Sequence, residues 1–405
     1  MSKTDSSPFE VTENRWFTPL FWLLMGITTL NFGYNGFWEA LHNMNIDFHV
    51  YYGWANHLKT GYPFLLNVAN AQHPSFYYPP FWGLLIRPFT WFDYSVAKHL
   101  WLGINVILFL WGGWMFRDWA KQRPLWKETW YRYGFLIVAL NFTPFIESFY
   151  HGQANLLILI LLASSFWFYA KQKPCVAGTL LGLSIMIKIL PIAFLIYWGW
   201  KRQWKLMASA FLTVLVLLLL SVGIVGIEPH LKFLQDTQIY LHYTQTHWMH
   251  QGNISLYSFL METQHQGYLP QFLPIYSISL LITLGIGLLL AFKVPRQIVG
   301  ERATLVEYSL GITSLFLATT YAEHHQFLLI LMGYAVAWIW MDEIKDLKVL
   351  ILLLSSWLLM LMGFQMDNLN LTFGNIFWGI YFHTYGLLAA WLGFFFWQTQ
   401  KEIST

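Results

Sequence analysis

The chain has 405 residues, of which 57% are hydrophobic and only 11% are charged, and its mean hydropathy is +0.46. These proportions exclude an ordinary soluble protein and indicate an all-α polytopic membrane protein. The formal net charge of +3, without a basic tract, gives no indication of nucleic-acid binding. The single cysteine, Cys175, excludes an intramolecular disulfide and a thiolate metal cage.

Apolar runs near the N-terminus predict the first two membrane spans. The first covers residues 16–34, close to the ~20 residues that a spanning helix needs, and it would act as its own insertion signal because no cleavable signal precedes it. A long external loop, residues 36–93, separates it from a second span at 94–116. Inside that loop, the apolar run 79–92 is only ~14 residues long, so we expect an interfacial helix rather than a span.

Basic residues set the predicted orientation. The loop after the second span carries five of them, which makes it cytoplasmic by the positive-inside rule: Arg117, Lys121, Arg123, Lys127 and Arg132. Further spans are expected at 133–147, 154–170, 176–187, 189–200, 207–227, 272–292, 304–321, 327–341, 347–364 and 374–397. The total is about twelve transmembrane helices in one domain, 1–405, with both ends inside and a second external loop at 228–271.

The histidines share one predicted side of the membrane. All 14 lie in external loops or in the outer half of a span, and histidine suits a polar site that handles hydroxyls and phosphates. A metal cluster is the alternative, but the sequence lacks an HExxH motif or paired-carboxylate spacing. We therefore expect an external site without a metal ion or other cofactor.

Asp47 is the candidate catalytic residue. It lies just outside the first span among aromatic side chains, including Tyr51, Tyr52 and Tyr78. Partial desolvation raises the pKa of such a carboxylate towards the working pH, which suits a general base. The alternative is structural, because aspartate is also a favoured cap for a helix, here one predicted to start near Val50.

Lys188 is the candidate partner for a phosphate group. It is the one basic residue in an otherwise apolar stretch, at the predicted outer turn between two half-length helices. A charge in such a place is costly and is by default a functional hypothesis. The alternative is a lysine whose ammonium snorkels to the membrane surface.

Four stretches resemble the sequence pattern of membrane-embedded GT-C glycosyltransferases, and most closely the polyprenyl-phosphate-mannose-type transferases of glycosyltransferase family 87. They are Asp47 with Tyr51-Tyr52, Gly61-Tyr62-Pro63 and Tyr78-Pro79-Pro80; Gly152-Gln153-Ala154-Asn155-Leu156-Leu157; Ala177-Gly178 through Ile187-Lys188-Ile189-Leu190-Pro191; and Gly252-Asn253-Ile254-Ser255-Leu256. A further landmark of that family, a late histidine pair, is present as His324-His325, although the Ser-Pro and tryptophan that usually precede it are absent.

The resemblance implies a GT-C fold and an external or lumenal active site that binds a polyprenyl-phosphate sugar donor and a glycan or glycolipid acceptor. It implies transfer of a sugar, most simply mannose, and a bacterial inner membrane with the site facing the periplasm or exterior. His324 and His325 would join Lys188 at the donor phosphate. The expected substrate contacts are Tyr51, Tyr52, Tyr78, Gln153, Asn155, Asn253 and Ser255, although the last four also suit hydrogen bonding between helices.

The chemistry limits the mechanism further. Sugar transfer from a lipid phosphate needs a base for the incoming hydroxyl and stabilisation of the leaving phosphate. One base and one displacement predict inversion at the anomeric carbon, whereas retaining glycosidases use a close carboxylate pair. Glu39, Glu147 and Glu323 are the other external acids considered. A transporter of a lipid-linked sugar or another solute remains the main alternative function, and a nonenzymatic partner subunit is a second one.

Overall fold

The computed structural model describes residues 16–43, 45–60, 78–246, 253–296, 300–368 and 382–399. Within these ranges every regular element is a helix, as the composition predicts. The helices, in chain order, are α1 Phe17–Phe32, α2 Glu39–His42, α3 Ile46–Thr60, α4 Pro80–Ile86, α5 Tyr94–Ala120, α6 Thr129–Leu140, α7 Thr143–Tyr150, α8 Asn155–Ala170, α9 Pro174–Ile187, α10 Ala193–Trp200, α11 Trp204–Val225, α12 Glu228–Thr246, α13 Leu256–His265, α14 Ile275–Lys293, α15 Glu301–Ala318, α16 Leu331–Ile339, α17 Leu347–Asn368 and α18 Phe382–Thr399.

Three of the described helices are long and apolar enough to cross a membrane, namely α5, α11 and α14. Shorter apolar helices include α8 and α9. The predicted number of twelve spans stays a prediction. The segment 79–92 forms α4 and a short 3-10 helix, Arg87–Trp91, neither of which is long enough to cross a bilayer.

Two predicted helix boundaries were wrong. The run at 133–147 is two helices, α6 and α7, because the chain leaves the helical conformation at Phe142 and restarts with Pro144 in the first turn of α7, a position that proline favours. The helix expected to start near Val50 begins instead at Ile46. The second external loop, 228–271, also contains two helices, α12 and α13.

Polar side chains connect α1 to the break between α6 and α7. Asn141, which follows α6, donates from Nδ2 to Thr28 Oγ1 at 2.8 Å, and its Oδ1 accepts from Asn31 Nδ2 at 3.0 Å. Phe32 stacks on Phe145 of α7 with a centroid distance of 5.2 Å. Hydrogen bonds of this kind stabilise contacts between apolar helices, and here they fix α1 against α6 and α7.

Small residues let α9 approach α11 closely. A Cβ atom on Gly178 would lie 2.2 Å from the Leu206 carbonyl oxygen, and one on Gly182 would lie 2.6 Å from that of Ala210. Glycines four residues apart permit close backbone contact between membrane helices. The Ala177-Gly178 stretch is therefore required for packing, and this packing positions Lys188, which directly follows α9.

A buried ion pair joins α10 to α15 at the opposite end of the bundle. Lys201, the residue after α10, lies 2.6 Å from Glu307 Oε2, and both side chains are almost fully buried. Glu307 also accepts hydrogen bonds from Tyr197 at 2.7 Å and Gln398 at 3.0 Å. The donors to this carboxylate of α15 thus come from α10, with the residue that follows it, and from α18, and these contacts fix α18 against α10 and α15.

Candidate active site

The polar residues singled out in the sequence converge where several chain segments end. α3 begins there, α7 turns into α8, α9 ends, and residues 319–323 connect α15 to the 3-10 helix His324–Ile330. Each segment contributes side chains that follow or precede a helix. Such helix ends can carry polar side chains into one place because they are not constrained by lateral helix packing.

A glycine turn allows α3 to approach α8. Gly152 has φ +67°, and a Cβ atom there would lie 2.8 Å from the Cβ of Phe48, so glycine is required both for conformation and for space. The turn is held by Trp101, whose Nε1 donates to the Gly152 carbonyl oxygen at 2.8 Å. The His151 carbonyl accepts the backbone N–H groups of Asp47 at 3.1 Å and Phe48 at 3.3 Å.

These backbone contacts bear on the capping alternative for Asp47. The first N–H groups of α3 are satisfied by the His151 carbonyl, so the carboxylate is not needed to cap them. The alternative also assumed a helix starting near Val50, whereas α3 starts one residue before Asp47. The carboxyl group is left to interact with side chains.

A chain of hydrogen bonds leads from Tyr78 to Asp47. The Tyr51 hydroxyl donates to Gln153 Oε1 at 2.9 Å and lies 2.8 Å from the Tyr78 hydroxyl. Because its one proton goes to Gln153, the Tyr51 oxygen accepts from Tyr78, and it also accepts from the Ala154 backbone. The Gln153 amide hydrogen-bonds the Asp47 carboxyl, and since its oxygen is occupied by Tyr51, its NH₂ group is the donor. Tyr51 and Gln153 are therefore fixed inside the protein and orient Asp47.

Asp47 is poised as a proton acceptor. Burial raises the pKa of the Asp47 carboxyl above its ordinary value of 3.8, and the neighbouring Glu323 charge adds to this rise. His325, His151 and the hydrogen bond from Gln153 oppose it. A carboxylate with a raised pKa is a better base near neutral pH than an ordinary aspartate.

The pKa of the Glu323 carboxyl is shifted in the opposite direction, downwards. Burial would raise its pKa, but the charge and hydrogen bond of His325, a hydrogen bond from Tyr321 and the charge of Lys188 outweigh burial and lower it to about 2. The His325 Nε2 lies 3.0 Å from Glu323 Oε2. Two neighbouring carboxyls with pKa values shifted apart suggest separate tasks: Glu323 holds His325, and Asp47 is left as the base.

A hydrogen bond to Asn155 holds Lys188 in the cluster. Its Nζ donates to Asn155 Oδ1 at 3.0 Å, while Asn155 Nδ2 donates to the His325 carbonyl at 3.0 Å. The ammonium also lies 5.6 Å from the centre of the Tyr78 ring. Burial lowers the pKa of Lys188 to about 8, against the opposing charges of Glu323 and Asp47. Among the described residues, Lys188 has no carboxylate within ion-pair distance.

The two histidines of the predicted pair face different partners. His325 belongs to the Asp47 cluster, with its ring 6.5 Å from that of His151. His324 instead approaches Glu147, with 3.6 Å between Nδ1 and Oε1, and its ring lies 4.1 Å from that of His383. The geometry favours His325 as the residue nearer to the reaction.

Three of the predicted substrate contacts are held by the backbone. Asn253 accepts the Ala322 N–H at 3.2 Å and donates to the Thr320 carbonyl at 3.2 Å, and Ser255 Oγ also donates to Thr320, at 3.0 Å. The Tyr52 hydroxyl donates to the Phe92 carbonyl at 2.8 Å. Asn253 and Ser255 thereby hold the segment that carries Glu323, and their role in substrate binding stays a prediction.

Several members of the cluster were not assigned a task from the sequence. His151 precedes the recognisable Gly152-Gln153 pair, and Glu147 was considered as an acid but not as a histidine partner. Glu323, which the sequence suggested could orient one of the adjacent histidines, contacts His325. His383 is fully buried in the first turn of α18, and within the described residues neither of its ring nitrogens has a hydrogen-bond partner. A histidine at the start of an apolar helix is a usable signal for a functional position.

Among the residues that the structure describes, no three His, Cys, Asp or Glu side chains are grouped closely enough to hold a metal ion. The expected independence of metals and cofactors stays a prediction. What the cluster offers is a carboxylate base, a buried ammonium, and histidine and amide hydrogen-bond donors. This set suits activation of a hydroxyl next to a phosphate.

Comparison with known proteins assigns the chain to a family. The model described as Glycosyltransferase family 87 matches residues 76–320, which is more than half of the sequence. The chain belongs to glycosyltransferase family 87. The family match contains Tyr78, Gln153, Asn155 and Lys188, whereas Asp47 and the His324-His325 pair lie outside it. Membership supports a glycosyltransferase rather than the transporter or the nonenzymatic subunit.

One relative of this family-87 chain is a polyprenol-phosphate-mannose-dependent alpha-(1-2)-phosphatidylinositol mannoside mannosyltransferase of Mycobacterium tuberculosis (strain ATCC 25618 / H37Rv). The two sequences are 24% identical over 223 residues, which is 50% of each chain. The chain thus matches about half the length of that relative. No solved structure gives a significant match. Together with the family, the three long apolar helices indicate an integral membrane glycosyltransferase.

Proposed function

We propose that this protein transfers a sugar, most simply mannose, from a polyprenyl-phosphate donor to a glycan or glycolipid acceptor, with inversion at the anomeric carbon. The observation that carries the proposal is the placement of Asp47 and Lys188 in one hydrogen-bonded cluster. The Lys188 ammonium lies 5.6 Å from the centre of the Tyr78 ring, and hydrogen bonds through Tyr51 and Gln153 connect the Tyr78 hydroxyl to Asp47. Within the described residues the two charges form no ion pair with each other. Each is therefore available to a substrate.

In the proposed reaction the acceptor hydroxyl gives its proton to the Asp47 carboxylate while its oxygen attacks the anomeric carbon. The bond from that carbon to the phosphate oxygen breaks, and the electron pair stays on the polyprenyl phosphate. The leaving group gains one negative charge, which Lys188 stabilises electrostatically. With its Nε2 held by Glu323, His325 would donate a hydrogen bond to the same phosphate from Nδ1 when both ring nitrogens carry a proton.

The mechanism predicts a single displacement. Glu323 has a lowered pKa and is already engaged by His325 and Tyr321, so it is a poor candidate for a covalent nucleophile. The name of the mycobacterial relative supports the donor class and an acceptor that is itself a glycolipid. The basic loops support a site facing the periplasm or exterior of a bacterial inner membrane, by the positive-inside rule.

A reconstituted assay tests the proposal. Purified protein in detergent would receive polyprenyl-phosphate mannose and a mannosylated glycolipid, with a nucleotide sugar and a polyprenyl-pyrophosphate sugar as alternative donors. We expect glycosidic product with polyprenyl-phosphate mannose and with neither alternative donor, in the absence of an ion gradient. The anomeric configuration of the product, determined by NMR, should be opposite to that of the donor. A retained configuration, or product from the nucleotide sugar, would refute the proposal.

A further inference from the structure

A second potential binding site runs along the helices from the neighbourhood of the Asp47 cluster, at Leu156, to the predicted cytoplasmic end, at Arg117. A cavity of about 630 Å³ is enclosed between α5, α6, α8 and α16, and its volume is within the range of small-molecule pockets. α5 begins at the catalytic cluster, since the Tyr94 hydroxyl donates to the Asn45 carbonyl at 3.4 Å. The cavity lies along the later part of α5, from Phe109 to Trp119, towards the end that the basic loop predicts to be cytoplasmic.

The cavity walls are apolar and open to one side. Residues of α8 and α16 such as Leu159, Ile160 and Val336 form a buried wall. On the other side, Arg117 and Tyr133 are exposed lining residues. The eleven residues from Phe109 to Trp119 span ten steps, a length of about 15 Å at 1.5 Å per residue, which is half of a hydrocarbon core of about 30 Å. The dimensions fit an acyl chain from one leaflet.

Two arginines give this end of the cavity a positive charge. Arg117, in the last turn of α5, and Arg132, in the first turn of α6, both line it. Within the described residues neither forms an ion pair. Arg132 donates to Thr129 Oγ1 at 3.3 Å, and its buried Nε has no hydrogen-bond partner.

Three other basic residues of this region form ion pairs. Arg123 lies 2.8 Å from Asp342 and 2.6 Å from Glu343. Lys121 and Lys171 both contact Asp118, at 2.7 and 3.0 Å. Arg117, Lys127 and Arg132 form no ion pair among the described residues, and of these three only the two arginines line the cavity.

We infer that this cavity binds an anionic phospholipid, with an acyl chain between α5 and α6 and the phosphate head group at Arg117 and Arg132. Arginine guanidinium groups form strong, charge-assisted hydrogen bonds with phosphate oxygens. The head-group end of the site is distinct from the place of the donor phosphate, because Arg117 follows Tyr94 by 23 residues on one helix, about 35 Å along its axis, whereas the other end of the cavity reaches Leu156 beside Asn155. A lipid bound here would fill the cavity and stabilise the packing of α5 and α6.

Native mass spectrometry can test this inference without any activity assay, so its failure is distinguishable from failure of the proposed function. Delipidated protein would be titrated with phosphatidylglycerol and with phosphatidylcholine of the same acyl chains. We expect the wild type to retain phosphatidylglycerol more tightly than phosphatidylcholine. In the double variant Arg117→Gln with Arg132→Gln, the affinity for phosphatidylglycerol should fall by roughly tenfold or more, because charge-assisted contacts are lost. The control, Arg202→Gln with Lys205→Gln, removes the same charge from residues that do not line the cavity and should bind normally.

A second variant tests the cavity itself. Ala163→Phe places a large side chain at a small lining residue of α8 and should weaken phosphatidylglycerol binding although both arginines remain. Equal binding of the two lipids, or normal phosphatidylglycerol binding by the double arginine variant, would overturn the inference. Competition by polyprenyl phosphate for the same site would also overturn it, because the cavity would then belong to the donor.

A photoreactive side chain identifies the occupant directly. A benzophenone at Leu136, which lines the cavity on α6, should yield an adduct with the mass of a phospholipid after irradiation in membranes. An adduct to residues 1–15 of the same chain, which lie outside the described ranges, or to another protein molecule would refute the assignment.

Discussion

The Lys188 ammonium donates a hydrogen bond to Asn155 Oδ1 at 3.0 Å. The two residues are 33 positions apart, at the end of α9 and at the start of α8, and the contact sets the position of a buried charge. No described carboxylate lies within ion-pair distance of the ammonium, so no ion pair neutralises the charge of this partly buried lysine. A buried cation in this state favours an anionic ligand.

Lys188→Met should weaken donor use while leaving the protein folded. The change removes one charge-assisted contact to the phosphate, worth about 1.5–3 kcal/mol, or roughly ten- to hundredfold in kcat/KM for the donor. The measurement is initial rate at limiting donor. Lys232→Met, at an exposed lysine of α12, is the control and should behave as wild type. Unchanged kinetics for Lys188→Met would make Lys188 a structural residue.

Asp47→Asn should be nearly inactive. Asparagine keeps the size of the side chain and an oxygen that accepts hydrogen bonds, but it cannot take the proton from the hydroxyl of the acceptor substrate. We therefore expect a loss of about 10²–10⁴-fold in rate, with binding of the sugar donor retained. Asp93→Asn is the matched control, because Asp93 is exposed and also stands at the beginning of a helix, α5. Near-wild-type transfer by Asp47→Asn would exclude it as the base and direct attention to Glu147 or Glu323.

The pH dependence of kcat/KM should be bell-shaped. Asp47 must be ionised to act, so activity falls as pH drops through a pKa raised above 3.8. Lys188 must be protonated to bind phosphate, so activity falls again as pH rises through about 8. Lys188→Arg keeps its charge beyond pH ~12 and should move the alkaline limb to higher pH. An alkaline limb that stays in place in this variant would show that another group controls it.

Tyr51→Phe and Tyr52→Phe should have different effects although the residues are adjacent. Loss of the Tyr51 hydroxyl leaves the Ala154 N–H without its buried partner, at a cost of about 1–3 kcal/mol. It also leaves Gln153 Oε1 with only the longer hydrogen bond from Tyr78, at 3.4 Å, which loosens the amide that orients Asp47. We expect kcat to fall by roughly tenfold or more with a smaller change in KM for the donor. Within the part of the chain that the structure describes, the Tyr52 hydroxyl forms one hydrogen bond, to the Phe92 carbonyl, so its variant should be nearly normal. Equal losses in both would argue against the Tyr51–Gln153 connection.

The buried Lys201–Glu307 pair should affect stability rather than catalysis. Lys201→Met leaves the Glu307 carboxylate buried without its cation, which typically costs about 3–5 kcal/mol and should lower the thermal denaturation midpoint in detergent. Activity per folded molecule should stay normal, because the pair lies away from the Asp47 cluster. The double change Lys201→Met with Glu307→Leu should recover part of the loss, and a double variant less stable than the single one would contradict this account.

The sequence by itself determined the membrane class, the helical fold and the two residues that carry the proposed chemistry. Asp47 and Lys188 could be found because an isolated charge in an apolar or aromatic setting is costly and therefore conspicuous. The family pattern likewise pointed to glycosyl transfer, and the family match supports it. Helix ends were less certain, because apolar runs continue through breaks such as Phe142 without a change in composition.

Only the tertiary structure decided which polar residues meet. The His325 ring contacts Glu323, and the His325 carbonyl accepts a hydrogen bond from Asn155. The His324 ring instead lies near Glu147 and His383. Neighbouring positions in a sequence look equivalent, but a helix start directs their side chains to different sides. Likewise, the raised pKa of Asp47 and the lowered pKa of Glu323 depend on burial and on charges brought in by distant segments, and those contacts exist only in the folded chain.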